Sequence, residues 1–167
     1  MPKNKNQKSL ANQLASLIAI CAASHKAQKD KGGEPYILHP MRVMMKFQGD
    51  VKRMMVAIAH DLVEDTTWTI NDLRDDGIDE EVLAAISAIT KEDGQTYFEY
   101  IKVVKNNPLA CAVKKEDIQD NSLLTRQKGL RHKDFTRVAK YNAAFQYLED
   151  SITAEEFKAV LNDIGVS

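Results

Sequence analysis

A chain of 167 residues, 28% of them charged, with a formal charge of -1, has the size of one domain and can bury a core without disulfides or a structural metal. The balanced charge excludes a generally basic nucleic-acid surface and an acidic tail, so an anionic ligand must be held by a local site. No apolar run approaches the roughly 18 residues of a membrane span, and MPKNKNQKSLANQ lacks a signal peptide's apolar segment and cleavage site; a soluble, cytoplasmic protein without membrane or nucleic-acid partners is expected.

Leu10, Leu14, Leu17, Ile18 and Cys21 recur at three- and four-residue steps, which predicts an amphipathic helix ending near KDKGGEPY, where two glycines and a proline forbid continuation. A loop is expected from about Asp30 to His39. Pro40 suits the first turn of a second helix with Met41, Val43, Met44 and Phe47, and Asp50 can cap a third whose buried stripe is Met54, Met55, Ile58 and Leu62. TIND at Thr69 to Asp72 reads as a capping box, and Asp79 caps IDEEVLAAISAI. Further helices are predicted from about Thr96, Pro108, Asp134 and Ala154. No segment alternates with period two for long, so the expected fold class is all-α, with residues 1–167 as one domain and residues 1–8 the candidates for disorder. Cys21 and Cys111 stand singly, without CxxC or histidine spacing, and read as core residues of a reducing compartment.

The unusual stretch is AIAHDLVED, Ala57 to Asp65, which sets a histidine, two aspartates and a glutamate at the edge of an apolar stripe. On one continuous helix His60, Asp61, Glu64 and Asp65 span an arc of about 140°. Carboxylates gathered so closely repel unless water, a basic partner or a metal relieves them. Two further groups read as ordinary on their own. In VKKEDIQDN, Lys114, Asp117 and Asn121 share one side of a helix, and in KGGEPYILHP, His39 stands at a loop-to-helix junction. Imidazoles and carboxylates from three segments would form a set suited to manganese, iron or zinc. Trp68 is expected to anchor the loop after the acidic helix. His132 reads as an exposed loop residue, and RQKGLRHK, Arg126 to Lys133, as solvated surface with phosphate attraction as the alternative.

The segments HKAQKDKGGEPYILHP, AHDLVEDT, AITK and VKKEDIQDN occur in the order and approximate spacing of the HD-domain phosphohydrolases. The chain most resembles the hydrolase domain of RelA/SpoT-like enzymes, including the small stand-alone alarmone hydrolases, from roughly Ser24 to Arg126. That resemblance implies an all-α HD-domain bundle in which His39, His60, Asp61 and Asp117 hold Mn2+, or another divalent transition metal. It casts Glu64 and Asp65 as the catalytic carboxylates that orient and activate water, and Asn121 and Lys31 as substrate-binding residues, Lys31 near the phosphates of a small-molecule nucleotide. His25 and Gln28 fall in its first helix motif and are expected to pack and hydrogen-bond there. The implied reaction is that of a guanosine-3′,5′-bis(diphosphate) 3′-pyrophosphohydrolase. A phosphatase of another phosphorylated nucleotide, such as NADPH, and a non-catalytic nucleotide- or metal-binding module are the alternatives. Asp30 stands where alarmone-hydrolysing relatives carry a basic residue that packs on the base, a cation–π contact that a carboxylate cannot make. The segment SLLTR also departs from the family pattern, Thr125 being displaced by one position. At this length no nucleotide-synthesising domain is expected, and the oligomeric state is not specified.

Overall fold

A computed structural model describes residues 8–127 and 129–166, so the expectation for residues 1–7 lies outside the described residues. The elements are α1 (Leu10–Ser24), α2 (Leu38–Met45), α3 (Val51–Ala59), α4 (Leu62–Asp65), α5 (Ile70–Asp75), α6 (Glu80–Ile89), α7 (Tyr97–Lys105), α8 (Pro108–Asn121), α9 (His132–Leu148) and α10 (Ala154–Asp163), with a short 3-10 turn at Leu124–Arg126. Among the described residues there is no strand beyond one isolated bridge, between Lys29 and Pro35, which closes the loop ahead of α2. No described helix is long and apolar enough to cross a membrane.

The helices begin where short polar side chains take up free amides. Ser9 accepts from the Asn12 N–H, Asp50 from the Arg53 N–H, and Thr69, Thr96 and Thr153 each form a reciprocal capping box, interactions worth about 1 kcal/mol apiece. Pro108 occupies the first turn of α8 behind the Asn107 cap, where its missing N–H costs nothing. The helix expected from Asp134 starts two residues earlier, because the Asp134 carboxylate reaches back to the Arg131 N–H and adds a turn ahead of itself.

α3 is the axis of the bundle. Met55, Val56, Ala57, Ile58 and Ala59 are all buried, a run without a polar face, because α1, α2, α6 and α8 pack around it. The expected stripe of Met55, Ile58 and Leu62 is buried, with Met54 at its partly buried edge and Trp68 packed against the same core. Cys21 is fully buried and Cys111 partly so. A second layer forms where α10 lies against α7 and α9, with Phe157 stacked on Tyr147 at 5.0 Å between centroids.

The continuous helix expected through AIAHDLVED is interrupted. α3 ends at Ala59, His60 and Asp61 form a turn, and α4 restarts at Leu62. The cause is local. His60 Nδ1 donates to the Ala57 carbonyl at 2.7 Å, the acceptor that the Asp61 amide would need for the helix to continue. The break lets His60 point into the bundle while Glu64 and Asp65 face outward.

Candidate metal centre

The centre is assembled from α2, the turn after α3, and α8, which pack on one another around the buried end of α3. His39, in the first turn of α2, His60 and Asp117 are all buried, and their donor atoms converge. His39 Nε2 lies 3.3 Å from His60 Nε2 and 3.0 Å from Asp117 Oδ1, which is itself 3.5 Å from His60 Nε2. Asp61 completes the group from its edge, with Oδ2 3.0 Å from His60 Nε2 and 3.8 Å from His39 Nε2.

The outer atoms of each ring decide what the inner ones can be. His60 Nδ1 faces a carbonyl, which only accepts, and His39 Nδ1 lies 2.7 Å from the Asp120 carboxylate. Both rings therefore carry their proton on Nδ1 and turn lone pairs from Nε2 toward each other, an assignment made from the partners. Two lone pairs 3.3 Å apart, flanked by two carboxylates, need a cation or a bound proton between them. In the metal-free protein the proton supplies it. Burial pushes the His60 pKa down, but the Asp61 charge and the Asp117 hydrogen bond override it and lift the pKa well above its ordinary value. His39 is likewise raised, burial being outweighed by hydrogen bonds to Asp117 and Asp120. The carboxylates move the other way. Asp61 is raised by burial but lowered further by His60, to about 2, and Asp117 is held well below the usual range by Lys114 and the two imidazoles despite its burial.

A divalent ion fits the same arrangement. Donors about 2.1 Å from a metal at tetrahedral or octahedral angles lie roughly 3.0–3.4 Å from one another, close to the separations seen here. Hydrogen bonding of the remote nitrogen to a carboxylate or carbonyl is also how metal-binding histidines are oriented. Asp117 is oriented as firmly. Its Oδ2 accepts from Lys114 Nζ at 2.8 Å and its Oδ1 from Asn121 Nδ2 at 2.6 Å, which turns Oδ1 to the imidazoles. Tyr36 donates its hydroxyl to Asp61 Oδ2, and its ring stands between those of His25 and His39. His25 Nδ1 in turn bonds Gln28 Oε1 at 2.8 Å, and Gln28 reaches the Asp65 carbonyl, so the first helix motif both packs and hydrogen-bonds.

Of the residues singled out from sequence, the structure gathers His39, His60 and Asp117 most tightly, with Asp61 beside them. Lys31 and Asn121 line a cavity of about 250 Å³ that opens beside the centre, together with Tyr36, His39, Asp120 and Arg126. Glu64 and Asp65 are exposed on α4, and Glu64 Oε2 accepts from the Lys91 amide. The Asp65 pKa is raised, first by the partial burial of its carboxyl group and then by the charges of Asp61 and Glu64, which makes it a better proton acceptor than an ordinary carboxylate. Asp30 is a loop-former. Its Oδ1 accepts from the amides of Gly32 at 2.8 Å and Glu34 at 2.9 Å, closing the loop that carries Lys31.

Sequence reasoning missed Tyr36, Asp120, Arg42 and Arg126. Asp120 is bound by Arg42 Nε at 2.9 Å and Nη2 at 3.0 Å and by Arg126 Nη1 at 3.0 Å. The hydrogen bonds from His39 and Arg42 carry its pKa below the normal range against the upward push of burial. The available signal was spacing, since Asp120 lies one turn from Asp117 and Tyr36 three residues before His39.

No family model matches the chain. It is similar to the guanosine-3′,5′-bis(diphosphate) 3′-pyrophosphohydrolase of Aquifex aeolicus, 28% identical over 122 residues that span 66% of this chain and 17% of that protein. The protein of the same name from Borreliella burgdorferi is 36% identical over 77 residues, 44% of this chain and 11% of that one. The bifunctional (p)ppGpp synthase/hydrolase SpoT of Escherichia coli is 33% identical over 64 residues, 36% of this chain and 9% of that one. The matched region is thus a small part of each of these proteins. Among solved structures, a metazoan ortholog of SpoT that hydrolyzes ppGpp superposes with a TM-score of 0.69 at 19% identity, covering 98% of this chain and 95% of that one, and so shares the fold. The sequence relatives and the fold neighbour point the same way: the chain is similar over part of its length to RelA/SpoT-type (p)ppGpp hydrolases and shares the helical fold of a SpoT ortholog.

Proposed function

We propose that the protein is a divalent-metal-dependent phosphohydrolase that removes pyrophosphate from the 3′ position of guanosine-3′,5′-bis(diphosphate). The observation that carries this reading is the pair of buried imidazoles whose Nε2 atoms face each other at 3.3 Å between carboxylates, beside a cavity lined by cationic residues. The names of the relatives supply the substrate. His39, His60, Asp61 and Asp117 would hold the ion, with Mn2+ the expected occupant. The ion would supply a more acidic water and a polarised phosphoryl oxygen at neutral pH.

The chain's own residues account for the rest. Lys31 and Asn121 face the cavity in which the phosphates would lie, Lys31 as a compact positive charge. Asp65, its proton affinity raised by partial burial and by the carboxylates of Asp61 and Glu64, accepts a proton from the attacking water, and Glu64 beside it orients that water. The water oxygen bonds to the inner 3′ phosphorus as the bond from that phosphorus to the 3′ oxygen breaks, and the freed 3′ oxygen takes up a proton, giving a nucleoside 5′-diphosphate with a 3′-hydroxyl and pyrophosphate. Asp30 spends its carboxylate oxygen on the loop's own amides, which removes part of its repulsion toward phosphate.

The deciding experiment measures pyrophosphate and phosphate release by the manganese-loaded protein from guanosine-3′,5′-bis(diphosphate), NADPH and simple nucleoside phosphates, with Asp61→Ala as control. Pyrophosphate from the bis(diphosphate), abolished by Asp61→Ala, is expected. Full activity in Asp61→Ala overturns the metal-centred mechanism, and phosphate from NADPH alone transfers the reading to another nucleotide.

A further inference from the structure

Glu64 and Asp65 ride on α4, a single helical turn from Leu62 to Asp65. One turn of helix has no stability of its own, so the place of the Asp65 carboxylate depends on what holds that turn from outside. Leu62 is buried beneath it, and the Lys91 amide reaches Glu64 from one side. The end that carries Asp65 is tied from the other by Gln28, whose Nε2 donates to the Asp65 carbonyl at 3.2 Å. We infer that His25, acting through Gln28, is a positioning residue for Asp65. The inference rests on the proposed function, in which Asp65 takes the proton of the attacking water, and adds to it two residues that stand outside both the donor cluster and the cavity.

The direction of each hydrogen bond follows from its partner. A carbonyl only accepts, so the Gln28 amide turns Nε2 to Asp65 and leaves Oε1 for His25. Oε1 only accepts as well, so His25 donates to it from Nδ1, at 2.8 Å. The imidazole thereby fixes the rotation of the amide that holds Asp65. Backbone bonds fix the residue between them: the Gln28 N–H donates to the His25 carbonyl at 2.9 Å, and the Gln28 carbonyl accepts from the Tyr36 N–H at 3.0 Å. The other ring nitrogen supplies the second argument. His25 is 1% exposed, and its Nε2 is buried with no hydrogen-bond partner among the described residues, which costs free energy. A ring needed only to fill space beside Tyr36, 5.3 Å away between centroids, would be better made by phenylalanine. What the imidazole adds is the Nδ1 donor.

Three variants separate positioning from packing. His25→Phe keeps a ring beside Tyr36 and removes the donor, His25→Asn returns an N–H to the place of Nδ1, and Gln28→Leu removes the tether itself. Gln28 is only partly buried, so its variant folds even where a change at His25 does not. The first readout uses neither metal nor substrate. Hydrogen–deuterium exchange of residues 62–66 in the EDTA-treated full chain should quicken about tenfold in His25→Phe and Gln28→Leu and return toward native in His25→Asn, with α3 unchanged. The second is turnover of guanosine-3′,5′-bis(diphosphate) by the manganese-loaded protein. kcat should fall about tenfold in His25→Phe and Gln28→Leu, with KM within about twofold of native, and His25→Asn should recover most of the loss. In an Asp65→Ala background His25→Phe should cost nothing further, because a residue that acts through another is not additive with it. Exchange unchanged in both His25→Phe and Gln28→Leu, or a kcat loss that adds in full to that of Asp65→Ala, overturns the inference. A protein whose α4 loosens in both variants but which hydrolyses no bis(diphosphate) keeps the tether from His25 to Asp65 and retracts the pyrophosphohydrolase reading.

Discussion

As a proposed ligand, His39 is only as good as Asp120 allows. The Asp120 carboxylate fixes the imidazole's tautomer and rotation through Nδ1, and is itself clamped by Arg42 and Arg126 from two different elements. Substituting Asp120→Asn leaves an oxygen to accept from Nδ1 but removes the charge that balances the guanidiniums. Manganese affinity should fall roughly 10–100-fold, the range for partners of metal-binding histidines, and Asp120→Ala should lie at or beyond the upper end; titration followed by manganese EPR reads this without turnover. Unchanged affinity in both variants would show that the clamp serves stability alone. Glu64→Ala is expected to behave in the opposite way, because Glu64 lies outside the donor cluster, with its Oε2 on the Lys91 amide. It should keep manganese affinity within about twofold and lose on the order of 10²–10⁴ in kcat; a variant with native kcat would remove Glu64 from the chemistry.

At the scale of elements, the loop between α1 and α2 positions Lys31, and it is tightly built. The Lys29–Pro35 bridge closes its base, Asp30 gathers two amides, and Gly32 packs on the 3-10 turn, where an added Cβ would lie 3.0 Å from the Arg126 carbonyl oxygen. Backbone cannot give way as a side-chain tip can. Gly32→Ala should therefore push the loop off the turn and raise KM about tenfold with little change in kcat; a kcat loss at constant KM would place the loop's role in the chemical step. The elements themselves were largely legible in sequence, because caps such as Asp50, Thr96 and Asn107 and the apolar stripe of α3 are local signals. The turn at His60 was not. Periodicity carries no sign that a side chain will take the Ala57 carbonyl, and that bond removes Glu64 and Asp65 from the helix face on which they were placed. The clustered side chains His39, His60, Asp61 and Asp117 were legible as motifs, whereas Asp120 was missed because its bond to His39 joins residues 81 apart, and its one-turn spacing from Asp117 carries no sign of that partner.

For the whole molecule the centre links stability, metal and pH with two opposite signs. Without metal, His39 and His60 have raised pKa values and are paired with carboxylates. A raised imidazole pKa contributes stability that is complete below the unfolded value, about 6.5, and is lost as pH climbs through the folded value. The depressed values of Asp61, Asp117 and Asp120 contribute stability that is present above roughly pH 4 and lost as pH falls through their folded values. The metal-free protein should thus have its highest Tm between about pH 5 and 6.5 and soften on the alkaline side. Manganese requires the imidazoles neutral, so it must displace the very proton that holds the metal-free centre together, and its affinity should rise across the same alkaline window. Because a ligand of the folded state raises Tm by mass action, the manganese-induced gain in Tm should be small near pH 6 and grow toward pH 8. Calorimetric titration at pH 7 in two buffers of different ionisation enthalpy should register net proton release on binding. A gain in Tm independent of pH, with no proton released, would mean that the ion enters somewhere other than between His39 and His60.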